Sequence, residues 1–511
     1  MLQVRHLSVS LLRDGREIIR DLSFSLAPGD RAALIGEEGD GKSTLLRLLR
    51  DPALVADYAE YSGEIRCDGR AAYLPQLMPE ALRTRSPRAL LAPADPAARA
   101  RLLAALRLPA ALADDGRPAA TLSGGEKVKL QLLLLLLAQP DVLLLDEPSG
   151  DLDLETVEWL QDFLCACRLP VLFASHDGAL IRACANMVVH LEQVRRKTAA
   201  RATVARLDYQ DYAERRQRAL AQQDRISRKE HADFAEKQAR WRRLYQQVDA
   251  AQAAVPRGDP AGGRLLKKKM HSVQAQGRRL EREEERLTPQ ADFEEAILPR
   301  WSADVALPEG KVVLDLRLPA LRAGDRLLAR SVRLFVRGPR RVGIIGANGA
   351  GKTTLLRLIA AELLPRRDLA VSYMPQDYRE ALPGEMTPVE YLAPQGDKAA
   401  VTFARTCLGS MKLTAREMER PAAALSGGTQ GKLLFLGMIL RRSNVLVLDE
   451  PTRNFSPLSA PVIRAMLRAF PGAIISVSHD RDYLAEVCEE LWELTPDGLR
   501  RRDGGAETRP D

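Results

Sequence analysis

A short glycine-rich segment occurs twice in this chain, in the same company each time. Gly346 to Thr353 reads G-A-N-G-A-G-K-T, after the apolar Val342, Ile344 and Ile345 and before a helix-like pattern of Leu355, Leu356, Leu358 and Ile359. Gly36 to Ser43 reads G-E-E-G-D-G-K-S and follows Ala32-Ala33-Leu34-Ile35. Strand, loop and helix in that order are what a phosphate-binding loop requires. The glycines let successive backbone N–H groups turn towards one point, and the helix N-terminus adds its dipole. Lys42 and Lys352 would reach the β- and γ-phosphates, and Ser43 and Thr353 would complete Mg²⁺ coordination. A plain glycine-rich turn rarely carries Lys and a hydroxyl residue at this offset.

The repeat extends over a whole module. Tyr73-Leu-Pro-Gln76 matches Tyr373-Met-Pro-Gln376, and Leu122-Ser-Gly-Gly125 matches Leu425-Ser-Gly-Gly428. Val142-Leu-Leu-Leu-Asp-Glu-Pro148 matches Val445-Leu-Val-Leu-Asp-Glu-Pro451, and Ser175-His-Asp177 matches Ser478-His-Asp480. The interval from Ser123 to Glu147 equals that from Ser426 to Glu450, and the interval onward to His176 equals that to His479. Five motifs in one order, twice, make the chain two copies of one ATP-binding module. The apolar residues before Asp146 and Asp449 suit buried strands that end at the nucleotide. Those aspartates would hold Mg²⁺ through its water shell, and Glu147 and Glu450 would orient or deprotonate the attacking water. Gln76 and Gln376 would sense the metal and γ-phosphate. A lone histidine is most often structural, but the repeated context makes His176 and His479 candidate γ-phosphate ligands. Ser123-Gly124-Gly125 and Ser426-Gly427-Gly428 precede helical patterns, so their N–H groups can address an anion.

P-loop, Q-loop, L-S-G-G signature, Asp-Glu after an apolar strand and Ser-His-Asp together resemble ABC ATPase cassettes. The resemblance covers nearly the whole chain. It implies an α/β fold of two tandem P-loop NTPase domains, each with a parallel-sheet core, an antiparallel β-subdomain and an α-helical signature subdomain. Nucleotide contacts would come from Gly36, Gly39, Gly41, Lys42, Ser43, Thr44 and Gln76, and from Gly346, Asn348, Gly349, Gly351, Lys352, Thr353, Thr354 and Gln376. Mg²⁺ would be held by Ser43, Gln76 and Asp146 in one copy and by Thr353, Gln376 and Asp449 in the other. In this family the signature of one module completes the P-loop of the other. Site one then joins Lys42 to Ser426, and site two joins Lys352 to Ser123. ATP closes the two halves within one monomer, and hydrolysis releases them.

Three departures bear on those sites. Glu38 and Asp40 stand where the second loop has Asn348 and Ala350, and carboxylates beside a polyphosphate are unfavourable unless they face away or meet a basic partner. Ser456 stands where the first copy has Asp153 and the family usually has Asp. No aromatic residue precedes either P-loop to stack on adenine, so apolar or arginine contacts would substitute. Site one is therefore expected to hydrolyse more slowly.

The rest of the chain joins the modules: residues 1–200 form the first domain, 201–303 a charged helical linker and 304–500 the second domain, leaving 501–511 as a disordered tail. Residues 206 to 300 are dense in Arg, Lys, Glu, Gln and Ala, a composition that predicts a hairpin of long polar helices. Its tip is expected at 255–264, where Pro256 to Gly263 break the pattern. Between Lys237 and Arg279 eleven basic residues face only Asp249 and Asp259, an excess larger than the +8 of the whole chain. A solvated spacer would mix its signs, as Glu281 to Arg286 do. Around the tip the mixing fails, which favours nucleic-acid contact through Arg240, Arg242, Arg243, Arg257, Arg264, Lys267, Lys268 and Lys269. Trp241 and Tyr245 share a helical face; they would either stack on bases or pack between the helices.

Tandem cassettes with a charged helical linker and no membrane domain resemble the ABC-F family, whose members act on the ribosome from the E site with the linker towards P-site tRNA. Some dislodge antibiotics, and others relieve stalled translation. The interval from Gln76 to Ser123 resembles that from Gln376 to Ser426, leaving no arm insertion, and the tail has no coiled-coil pattern; both lean towards ribosome protection. The competing readings are a tandem ATPase subunit of a membrane transporter and an ATP-clamped binding protein with little turnover. The N-terminus has no signal-peptide pattern, and the run Leu132 to Ala138 falls far short of the ~20 residues of a membrane span and reads as a buried helix. The cysteines, six in 511 residues, suit a reducing cytoplasm; Cys165 and Cys167 read as helix cysteines rather than a zinc pair.

Overall fold

The computed structural model describes residues 1–150, 152–194, 199–254, 260–289, 300–382, 384–411 and 413–502, with the side chains of 260–263 outside the description. Two compact units divide the chain, one of Met1–Gln210 with Glu294–Asp511 and one of Asp211–Phe293.

The larger unit holds both modules. In the first, β1 (Leu2–Leu11) pairs antiparallel with β2 (Glu17–Leu26) and with β4 (Ala59–Cys67). Val4 faces Phe24 and Leu7 faces Leu22, as their alternation predicts. The register shifts next to His6 and Asp21, which both take positive φ. The core sheet runs β5 (Ala71–Leu74), β6 (Val142–Asp146), β7 (Val171–Ala174), β3 (Arg31–Ile35), β8 (Met187–Val194), β9 (Ala199–Ala205), parallel except for the last pair. Every residue of β6 is buried, which is why it reads as an unbroken apolar run. β9 carries this sheet past residue 200, the expected domain limit.

The second module repeats the plan. β10 (Val312–Ala323) and β11 (Arg326–Arg337) form the antiparallel ribbon. The second sheet runs β13 (Val371–Met374), β14 (Val445–Asp449), β15 (Ala473–Val477), β12 (Arg341–Ile345), β16 (Glu490–Thr495), β17 (Gly498–Arg502). β17 takes in residues 501 and 502 of the expected tail; the remainder lies outside the described residues. Helices fill the interval between Q-loop and signature in each copy. Leu132 begins in the buried half of the helix Gly124–Leu137, but Leu134 to Leu137 are only half buried, so the expected buried run is half right.

The smaller unit is a helical hairpin, Tyr209–Ala253 and Pro260–Glu284. Val248, Met270 and Val273 are buried in its seam with Trp241, Leu244 and Tyr245 packed around them. Trp241 Nε1 donates to the Val273 carbonyl at 2.8 Å, and its ring fills the space left by Gly277. Of the two roles open to Trp241, packing between the helices is the one it fills. Ser227 Oγ donates to the Thr288 carbonyl at 2.9 Å. The expected tip is shorter than its composition suggested: Pro260 to Gly263 belong to the second helix, because proline is well placed in a first helical turn. Arg257 and the rest of 255–259 lie outside the described residues.

Candidate functional site

Both P-loops leave the C-terminal end of a central strand, β3 or β12, the usual position of a ligand crevice in an open α/β sheet. Gly41 and Gly351 cap the following helices with φ of 97° and 99°, a conformation that costs other residues dearly. A Cβ on Gly36 would sit 2.3 Å from the Leu191 carbonyl, and one on Gly346 2.7 Å from that of Leu494. Lys42 and Lys352 are buried and held by their own loops. Lys42 Nζ donates to the carbonyls of Gly36 (2.8 Å) and Glu37 (3.0 Å), and Lys352 Nζ to those of Gly346 (2.7 Å) and Ala347 (2.9 Å). Ile18 lies against Gly41, and Leu328 against Gly351. Aliphatic side chains therefore border both loops.

The two copies differ at the metal-ligand positions. Ser43 Oγ donates to Asp146 Oδ1 at 3.0 Å, and the Tyr73 hydroxyl donates to Oδ2 at 2.9 Å. Asp449 is equally buried, yet neither of its oxygens accepts a hydrogen bond of ordinary geometry. Burial raises its pKa, opposed by the neighbouring Thr353 hydroxyl and by Arg357 and Lys352. A buried carboxylate with both oxygens unmet beside Thr353 fits a hard cation.

Glu147 and Glu450 take φ of 50° and 52°, strained for a non-glycine residue. Each turns back to its histidine loop. Glu147 Oε2 accepts the His176 N–H at 3.0 Å, and Glu450 Oε2 the His479 N–H at 3.2 Å. The ring nitrogens Nε2 of His176 and His479 lie 3.2 and 3.7 Å from the carboxylates. Burial pushes Glu450 up to about 8 and His479 down to about 4, so that imidazole is neutral at pH 7. Gln76 and Gln376 stand exposed just past β5 and β13.

Ser123 caps its helix in a reciprocal box with Glu126, and Ser426 caps the helix Gly427–Leu440. Gly428 of the second signature lies against Glu38 of the first P-loop. Asp153 N-caps the helix Leu154–Ala166 and also accepts from the backbone N–H of Asn348; burial would raise its pKa, but these bonds and His479 hold it below the ordinary value.

Across site one the polarity is reversed, a relationship sequence reasoning missed. Glu37 Oε1 accepts from Ser459 Oγ, lies 3.2 Å from Ser456 Oγ and is 3.8 Å from Lys432 Nζ. Glu38 Oε2 accepts the Gly428 N–H at 3.1 Å. Asp40 turns inward, accepting from the Glu37 N–H at 2.7 Å. The acid that site two carries after the Asp-Glu-Pro stands, at site one, in the P-loop. The exchange of Asp153 for Ser456 and of Asn348 for Glu38 was the available signal.

On the hairpin, Arg240, Arg242, Arg243, Arg264, Lys267, Lys268 and Lys269 are all exposed. Arg240 pairs with Glu236, and Lys237 with Glu283. The other six make no ion pair among the described residues.

The arrangement agrees with the comparisons. The ABC transporter family profile matches residues 19–150 and 330–453. ATP-binding protein Uup of Caulobacter vibrioides is 29% identical, with 95% of this chain and 76% of that one covered. Human ATP-binding cassette sub-family F member 3 is 27% identical over 96% of this chain and 71% of its own. Among solved structures, the archaeal ribosome recycling factor aABCE1, in complex with ribosomal stalk protein aP1, has the same fold at a TM-score of 0.58 and 17% identity, covering 97% of this chain and 89% of that one. The chain belongs to the ABC transporter family, as a tandem-cassette ATPase of its ABC-F branch. It binds and hydrolyses ATP. No helix among the described residues is long and apolar enough to cross a membrane.

Proposed function

We propose that this ATPase is a cytoplasmic translation factor whose hairpin contacts ribosomal RNA and P-site tRNA from the E site, and that it works as a monomer closing on ATP. The observation that carries this reading is the exposed basic group on the hairpin, Arg242, Arg243, Arg264, Lys267, Lys268 and Lys269, which makes no ion pair among the described residues. Charges left without acidic partners attract a polyanion, and two helices present them in a fixed array. The relatives add support: one solved neighbour is a ribosome-bound archaeal complex of Pelota and ABCE1. Protection of the ribosome against antibiotics is the form of action the sequence leans towards.

At site two, Lys352, Thr353, Thr354 and the loop amides would hold the phosphates, with Ser123, Gly124 and Gly125 opposite. Asp449, Thr353 and Gln376 would hold Mg²⁺, which supplies charge neutralisation between the phosphates. Glu450, in its ionised form, would orient the attacking water or accept its proton, and His479 would hydrogen-bond the γ-phosphate.

The test is ribosome co-sedimentation of the Glu147→Gln, Glu450→Gln double variant with ATP. Pelleting that requires ATP and falls when Lys267, Lys268 and Lys269 are replaced by alanine supports the proposal. No pelleting at moderate salt turns the reading to the ATPase subunit of a membrane transporter.

A further inference from the structure

The first P-loop is already engaged. A nucleotide at site one would place its terminal phosphate between Lys42 and the amides that open the helix Gly427–Leu440. One of those amides, the Gly428 N–H, already donates to Glu38. A Cβ on Gly427 would come within 2.9 Å of the same Glu38 oxygen, so the carboxylate lies directly over the signature. Beside it, Glu37 is tied to Ser459 and faces Ser456 and Lys432 of the second module. Both Asp146 oxygens are satisfied by Ser43 and Tyr73, while Lys42 is held by loop carbonyls just as Lys352 is at site two.

Site two offers the contrast. Its loop is neutral at the corresponding positions, Ala347, Asn348 and Ala350. Among the described residues, neither oxygen of its aspartate accepts a hydrogen bond of ordinary geometry. Three carboxylates, Glu37, Glu38 and Asp40, stand in one loop at site one, where a triphosphate would bring further negative charge. The residues of site one therefore do not fit a nucleotide in this closed arrangement; those of site two do.

We infer that Glu37 and Glu38 form an acidic latch that takes the place of a nucleotide phosphate at Ser426-Gly427-Gly428, so that site one closes on itself and the protein binds one ATP, at site two. Glu38 occupies the signature amide, and Glu37 fixes the loop to Ser456, Ser459 and Lys432. Site one becomes a standing contact between the modules, and only site two opens and closes with nucleotide. This rests on the ATP-site reading above, and its failure is separable from that of the reading.

The experiment counts nucleotide per chain by equilibrium dialysis with a non-hydrolysable ATP analogue and Mg²⁺. The intact protein binds one, Lys352→Ala removes it, and the triple variant Glu37→Ala, Glu38→Asn, Asp40→Ala binds two. Two bound by the unaltered protein, or one retained in Lys352→Ala, overturns the latch; so does a triple variant that still binds one. No binding in the unaltered protein overturns the ATP-site reading instead. Should the triple variant fail to fold, the near-isosteric Glu38→Gln serves with a second readout, hydrogen exchange without nucleotide. The latch requires that the segment around Gly428 is protected in the unaltered protein and exchanges at least about tenfold faster in Glu38→Gln; equal exchange overturns it.

Discussion

His176 Nδ1 lies 3.0 Å from the carbonyl oxygen of Phe455, across the boundary between the modules, whereas Nδ1 of His479 is buried without a hydrogen-bond partner among the described residues. The histidine of site one is anchored by the other half of the chain. Its counterpart at site two is left with an unmet ring nitrogen, which a ligand or a moved loop can satisfy.

Turnover should follow that difference. Replacing Glu450 by Gln removes the proposed general base of site two and is expected to lower steady-state ATP hydrolysis by about a hundredfold or more. Glu147→Gln is expected to lower it by less than about tenfold. Phosphate release measured on both variants decides; equal losses would remove the distinction between the sites.

Magnesium should stabilise through Asp449 rather than Asp146. With nucleotide analogue at about a hundred times its Kd, ligand linkage raises the stability by about 3 kcal/mol. Removing Mg²⁺ with EDTA, or substituting Asp449→Asn, is expected to erase most of the accompanying rise in Tm. Asp146→Asn is expected to change it little, because its oxygens are already held by Ser43 and Tyr73. A thermal melt of each variant with and without the metal reads the result.

The hairpin separates charge from packing. Alanine at Lys267, Lys268 and Lys269 removes three exposed cations, and the slope of log K against log salt for RNA binding is expected to fall by about 1 for each phosphate that is no longer neutralised. Helicity by circular dichroism is expected to stay as it was. Trp241→Ala does the opposite: it opens the seam against Val273 and Gly277 and costs about 3 kcal/mol of hairpin stability. An unaltered salt slope in the lysine variant would show that these cations do not touch RNA.

Asp177 and Asp480 cap the helices Gly178–Cys184 and Arg481–Val487 from half-buried positions. Burial raises both pKa values; for Asp177 the nearby Asp480 charge adds to the rise, against opposing bonds from Leu180 and Ala179, while Thr452 and Tyr483 oppose it for Asp480. A raised carboxyl pKa means the folded chain holds its proton more tightly than the unfolded one. The stability so gained is present at low pH and is lost as pH climbs from the unfolded pKa through the folded values. Asn keeps an oxygen for the cap and carries no charge. Asp177→Asn and Asp480→Asn are therefore expected to raise Tm near pH 7.5, with the gain shrinking towards pH 4. A gain that is the same at both pH values would assign it to packing.

Much of this could be read from the chain alone, for a physical reason. The motif residues sit where backbone and phosphate geometry allow few alternatives, so Gly346 and Asp449 stand at the ends of β12 and β14, and Lys352 opens the helix after the loop, as their spacing implied. Buried parallel strands announce themselves as unbroken apolar runs, and β6 and β14 did. The direction of Glu37 and Glu38 was not legible, because it depends on Ser459 and Lys432, hundreds of positions away. Nor was the role of Trp241, since a helical face alone does not tell stacking on a base from packing on Val273. Pro260 to Gly263 looked like a loop by composition, and a proline at a helix start is the one place where that composition misleads.

The exchange of Asp153 against Ser456 and of Asn348 against Glu38 also settles which halves can pair. Two copies of the first module brought face to face would set Asp153 of each against Glu38 of the other, carboxylate on carboxylate. Two copies of the second would set Ser456 against Ala347, the counterpart of Glu37, with no ionic contact at all. Only unlike halves match, acid to amide on one side and hydroxyl to acid on the other. Duplication within one chain has thus left two halves whose facing residues complement each other better than either would complement a copy of itself.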